Sequence, residues 1–168
     1  MSRPRFTFTA PDARAKRAAL RDLIITQEVK NAIIFCNRKR DVDIVFKSLS
    51  KHGFNVGCLH GDMDQRNRTM TLDQFRAGSI QLLAASDVAA RGLDIPDVSH
   101  IFNFDVPWQA DDYVHRIGRT GRAGRDGLAV TFAEFRDRRK IGDIEAYSKQ
   151  RFSSEVIPGL EPKARPAP

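Results

Sequence analysis

The chain has 168 residues, 41% of them hydrophobic and 29% charged, which is enough apolar material for one globular domain with its own core. Lys and Arg outnumber Asp and Glu by 28 to 21, and the formal charge of +7 favours polyanionic partners, nucleic acid first among them. Two cysteines without a C-x-x-C spacing, no apolar run of membrane-spanning length and no apolar segment of signal-peptide type at the start argue against a disulfide scaffold, a zinc ribbon, a membrane protein and a secreted one, so a cytoplasmic location is expected.

Residues 1–10 predict a tail in which the alternation Phe6-Thr7-Phe8 forms a short edge strand. Residues 11–157 form the predicted domain. Leu20, Leu23 and Ile24 keep helical spacing, and the run A-I-I-F-C at 32–36 is too short for a helix and suits a strand buried on both faces. Val42, Val45, Phe46 and Leu49 mark a second helix, and further apolar runs at 56–59, 80–85, 98–104 and 128–132 predict more strands. Strand and helix by turns imply a mostly parallel sheet with right-handed crossovers, which places ligand groups at the carboxyl ends of the strands. Cys36 and Cys58 lie inside two of these runs and read as small core residues. From residue 158 to 168 the sequence P-G-L-E-P-K-A-R-P-A-P is too rich in proline for core and predicts a tail.

Polar motifs follow the predicted strand ends. N-R-K-R begins at Asn37, H-G-D-M-D-Q-R-N-R at His60, S-D-V-A-A-R-G-L-D at Ser86, N-F-D-V-P at Asn103 and D-Y-V-H-R-I-G-R-T-G-R at Asp112. The last carries Arg116, Arg119 and Arg122 at three-residue intervals, and arginine keeps its charge at any working pH while its planar fork matches phosphoryl oxygens. No G-x-x-x-x-G-K-[ST] loop occurs in the sequence, so the arginines are expected to form half of a phosphate site. Gln65 and Arg68 are spaced to hold one another on a helix face. Trp108, after Pro107 at a helix start, reads as packing or surface cover ahead of a platform for stacking a base, and R-D-R-R-K at 136–140 reads as a solvated helix face, with accessory RNA binding as the lesser alternative.

In this order the segments resemble the second RecA-like domain of the DEAD-box RNA helicases over nearly the whole chain, with the nearest likeness to bacterial members of the RhlE and RhlB kind. The resemblance implies a single RecA-like domain, a three-layer α/β/α sandwich with a mostly parallel central sheet. It also implies the carboxy-terminal half of an ATP-dependent RNA helicase that unwinds short duplexes and is inactive alone. By the same resemblance Arg119 and Arg122 are arginine fingers, Gly92 and Asp94 bind nucleotide, and Arg91, His115 and Arg116 couple the two domains, with Arg116 also suited to bracing the motif loops internally. Asn37, Gly61, Arg68 and Ser86 are the implied contacts to RNA, largely independent of its sequence. Two departures stand out: Ser86 and Arg38 replace threonines common in relatives, the first keeping a hydroxyl and the second offering a phosphate partner instead. ATP and Mg2+ are expected to be held mainly by an amino-terminal RecA-like domain of the same protein, with no metal site on this chain; RNA, that domain and an RNA-degrading nuclease are the expected partners. Two rival readings are a non-catalytic recruitment module for RNA degradation and a DNA helicase domain of RecQ-like type.

Overall fold

A computed structural model of the protein describes residues 5–91, 93–120, 127–148 and 153–155. Strand β2 (Ala32–Cys36) sits at its centre, and every residue of it is buried. Because strand side chains alternate between faces, Ala32, Ile34 and Cys36 enter one apolar cluster and Ile33 and Phe35 the other. The first cluster is roofed by α1 (Ala13–Thr26) and α2 (Lys39–Lys51), through Leu20, Leu23, Ile24, Val42, Val45 and Leu49. The second is covered by α3 (Gln65–Arg76), the one-turn α4 (Asp87–Ala90), α5 (Ala110–Ile117) and α6 (Arg138–Ser148), through residues such as Phe75, Ala89, Tyr113 and Ile144. The three layers expected from the sequence follow directly from that alternation.

The remaining strands are β1 (Arg5–Thr9), β3 (Val56–Leu59), β4 (Leu82–Ser86), β5 (His100–Asn103), β6 (Leu128–Ala133) and β7 (Ser153–Glu155). The sheet runs β3-β4-β2-β5-β6-β1-β7, and every pairing among these strands is parallel. All strand carboxyl ends therefore share one edge. After β4 the chain crosses to the far side of β2, so the loops after β2, β4 and β5 meet at a reversal of strand order, the place where α/β sheets bind ligands. Residues 6–8 are strand as expected, but β1 is not at the edge: Phe6 to Phe8 pair with β6 on one side and with Ser153 to Glu155 on the other. The covering strand reads S-S-E and carries no apolar signature. The predicted 158–168 tail lies outside the described residues.

Polar side chains start several helices. Asp12 accepts the Ala15 N–H at 2.9 Å, Asp64 the Asn67 N–H at 2.8 Å and Ser86 the Ala89 N–H at 3.3 Å. Cys36 is buried and Cys58 half-buried, both are free, and burial raises both thiol pKa values, as suits core residues. Among the described residues no helix is long and apolar enough to cross a membrane.

His100, the first residue of β5, stacks on Phe102 with ring centroids 6.0 Å apart, and burial lowers its pKa below the ordinary 6.5. The unfolded chain then binds the proton more readily than the fold does, so this histidine costs stability as pH falls from 6.5 through its lowered folded value. Urea melts on either side of that window should show the parent losing stability on acidification and His100→Asn losing less; equal losses would contradict this.

Candidate functional site

Arg116, on α5, is 1% exposed and forms the hub of the loops after β2, β4 and β5. Its Nε and Nη2 grip Asp87 in a two-pronged ion pair at 2.8 and 2.6 Å. Nη2 also donates to Asn37 Oδ1 at 2.8 Å, and Nη1 donates to the Asp105 carbonyl at 2.9 Å and to Asn103 Oδ1 at 3.5 Å. All five guanidinium N–H groups are thereby used inside the domain, and the plane lies 5.2 Å from the Phe35 ring centroid. Of the two roles the resemblance allowed this residue, internal bracing is the one its geometry matches.

On the α4–α5 side of this hub opens a cleft of about 430 Å³, with Phe35 in its lining. Arg91 lies on its margin, 69% exposed, with Nη2 3.6 Å from Asp112 Oδ1. Burial and the neighbouring carboxylates of Asp87 and Asp111 raise the Asp112 pKa. His115 is exposed in the same lining. Arg119 is half-buried and donates to the carbonyls of Leu93 at 3.2 Å and Ala90 at 3.4 Å. Asp94 is exposed, and its carbonyl accepts two bonds from Arg76, at 2.9 and 2.5 Å, which fixes the loop while leaving the carboxylate on the surface. Gly92 and Arg122 lie outside the described residues. At this cleft Asp111, Asp112 and His115 bring ligand-type atoms within 4.8 Å of one another, an exposed acidic group of a kind that is common without a metal ion. Both Asp87 oxygens are held by Arg116 and Asp112 is paired with Arg91.

The four expected RNA contacts follow three adjacent strand ends. Asn37 follows β2, with Oδ1 on Arg116 and Nδ2 on the Val106 carbonyl at 2.9 Å, while its backbone N–H meets Asp105 at 3.0 Å. Burial raises the Asp105 pKa, and that N–H and Lys16 partly offset the rise. Gly61 follows β3 and is exposed, and a methyl group added there would touch nothing within 4 Å. Ser86 ends β4, and its hydroxyl is the N-cap of α4. Arg68 of α3 reaches the Ala89 carbonyl at 3.3 Å and so lies beside the Ser86 turn. The expected pairing of Gln65 with Arg68 does not form: Gln65 donates instead to Thr69 at 3.3 Å, one turn on. Sequence reading passed over Asp87 as the partner, although it sits one residue beyond a strand end where a buried arginine needs an acceptor, whereas Asp105 serves Arg116 through a backbone carbonyl that any residue would supply.

Asp43, Cys58 and His60 place ligand-type atoms within 4.8 Å of one another. His60 Nε2 lies 3.1 Å from Asp43 Oδ1, while Nδ1 faces the Asp62 N–H at 3.3 Å. Nδ1 must then be the acceptor and the ring proton sits on Nε2, aimed at Asp43. Freeing Nε2 for a metal would set Nδ1–H against an N–H donor, so the group reads as a hydrogen-bonded brace between α2 and the loop after β3.

Residues 15–124 match the family described as the helicase conserved C-terminal domain. The chain is 43% identical over 143 residues to the ATP-dependent RNA helicase SrmB of Haemophilus influenzae, covering 85% of this chain and 33% of that protein. The chain thus spans about a third of that curated relative. Its fold is similar to that of the E. coli DEAD-box protein SrmB bound to regulator of ribonuclease activity A, with a TM-score of 0.92, 38% identity and coverage of 100% of this chain and 99% of the other. It is also similar to S. cerevisiae Dbp5 bound to RNA and ADP BeF3, with a TM-score of 0.83, 30% identity and coverage of 92% of this chain and 41% of that one.

Proposed function

Since the chain belongs to the helicase C-terminal domain family and matches its bacterial DEAD-box members, we propose that it works as the carboxy-terminal half of an ATP-dependent RNA helicase. The observation that carries this reading is the division of labour among neighbouring arginines. Arg116 is spent on the domain's own loops, while Arg119 and Arg91 stand at the margin of a cleft beside exposed His115.

ATP, the substrate, would be held mainly by an amino-terminal RecA-like domain that also carries Mg2+. When the two domains close, Arg119 and Arg122 reach the γ-phosphate and balance the charge that develops as it transfers. Asp94 accepts a hydrogen bond from the ribose, and Gly92 lets the backbone approach. His115 and Arg91 face the partner domain. RNA lies along Gly61, Arg68, Ser86 and Asn37. The Ser86 oxygen already accepts the Ala89 N–H, which leaves its own O–H to donate to a phosphate, and the Asn37 amide keeps one N–H beyond its bond to Val106. Gly61 is not required by crowding inside the domain, so a role for its missing side chain would lie toward a ligand. Such contacts hold a backbone without reading bases. Closure is favoured only by as much as ATP and RNA bind the closed arrangement better than the open one.

The test is ATP hydrolysis by the chain alone and with an amino-terminal RecA-like domain of a DEAD-box relative added in trans. The chain alone should show no turnover, and RNA-stimulated turnover should appear on mixing; hydrolysis by the isolated chain would refute the split site. A second reading, recruitment of an RNA-degradation partner, draws on the E. coli SrmB structure with its bound regulator of ribonuclease activity. Binding of such a partner with no ATPase on mixing would favour it. The DNA-helicase reading draws no support from the relatives described above, of which one is an RNA helicase and another is bound to RNA.

A further inference from the structure

The proposed RNA contacts follow the sheet in spatial order, Gly61 after β3, Ser86 after β4 and Asn37 after β2. The next two strand ends along the same edge, those of β5 and β6, open onto a second groove of about 470 Å³ that also has Asn37 in its lining. We propose that single-stranded RNA continues from Asn37 into this groove, where Trp108 stacks on a base and Arg38, Arg40, Arg136 and Lys140 hold phosphates.

The residue set fits that ligand on three counts. Trp108 is 56% exposed, too open for core, and the Arg38 guanidinium lies 5.9 Å from its ring centroid. With the guanidinium over one face of the ring, a base would stack on the other face or take the place of the arginine, in either case on a sequence-tolerant platform. Charge is sorted by depth: Arg38, Arg40, Arg136 and Lys140 are exposed, whereas the acids of the lining, Asp41, Asp105, Glu134 and Asp137, are half-buried or buried. Two of those acids face a buried cation, with Lys16 Nζ 3.3 Å from Glu134 and 3.8 Å from Asp105, and Glu134 also accepts from the exposed Arg136 at 3.1 Å, a bond a phosphate would have to replace. Asp137 is turned to the Glu134 N–H at 2.9 Å. What a ligand meets first is therefore positive. The third count is continuity, because Asn37 belongs to both the proposed backbone path and the groove. An acidic protein segment would satisfy the charges but would leave the aromatic face without a stacking partner.

This inference rests on the RNA reading above, and one titration separates the two. Trp108 is the only tryptophan of the chain, so its emission reports stacking directly. At low salt, oligouridylates of about 4 and about 12 nucleotides, spanning the usual range for a single-strand site, are titrated into the 168-residue chain. The longer oligomer should bind more tightly and quench the emission. Read by the anisotropy of an end-labelled oligomer, since these variants lack the reporter, Trp108→Ala should weaken its binding roughly tenfold and Trp108→Phe should restore most of the loss. The double change Arg136→Ala with Lys140→Ala should lower the slope of log affinity against log salt by about 1.4. If both oligomers bind equally and the emission stays constant, the groove is off the path and the RNA reading stands. If neither binds, the RNA reading falls and takes the groove with it. If polyglutamate quenches Trp108 and RNA does not, the groove takes a protein and the proposal is wrong.

Discussion

Arg119→Ala is expected to slow ATP hydrolysis by the assembled two-domain protein by about 10³- to 10⁵-fold, the range seen when an arginine finger is supplied or removed. The loss should appear in kcat at saturating ATP and RNA, with little change in KM, because the contact strengthens as charge moves onto the transferring phosphoryl group. A urea melt of the variant separates a loss of rate from a loss of fold. Arg119 is half-buried, and on closure its bonds to the Leu93 and Ala90 carbonyls, at 3.2 and 3.4 Å, would give way to charge-assisted bonds to phosphate oxygens. Arg119→Lys keeps the charge but not the planar fork and should recover only a small part of the rate. A kcat within about threefold of the parent would remove Arg119 from the transition state, since that is under 1 kcal/mol.

Three residues earlier, the opposite outcome is expected. Arg116→Ala should destabilise the domain by about 3 to 5 kcal/mol, the cost of removing one partner of a buried ion pair. Asp87 would keep its charge without its two-pronged partner, and the Asn37, Asn103 and Asp105 oxygens would each lose a donor. Because the Asp87 side chain is 21% exposed, water relieves part of that cost and the lower end of the range applies. Arg116→Lys should recover little, since three N–H groups on a single nitrogen cannot serve partners arranged around a plane. Urea unfolding of the chain reads the change directly, as a shifted midpoint at constant slope. An Arg116→Ala midpoint equal to that of the parent would mean that the hub is not what holds these loops.

How much of this could be read from the sequence depended on whether the governing contact was local. The run at 32–36 announced a strand covered on both faces, and β2 is that strand, with all five residues buried. Val42, Val45 and Leu49 declared the inner face of α2. The position of β1 in the sheet could not be read, because its outer neighbour is the polar S-S-E of β7, far along the chain. Gln65 and Arg68 had suitable spacing, yet the Ala89 carbonyl offered Arg68 an acceptor that only the fold brings near. The resemblance already set Arg116 apart from Arg119, but it could not supply their partners, which lie 29 and 79 residues away for the first and 26 and 29 residues away for the second. Spacing within a motif carries no information on which way such a side chain turns.

One guanidinium fastens the segments that leave β2, β4 and β5, and this constrains how the domain can move. Displacing any single segment would break bonds to a buried cation, so these segments should travel together, as one block with the sheet. If the chain closes on a second domain as proposed, it would do so as one solid piece, with the bending taken up outside this cluster.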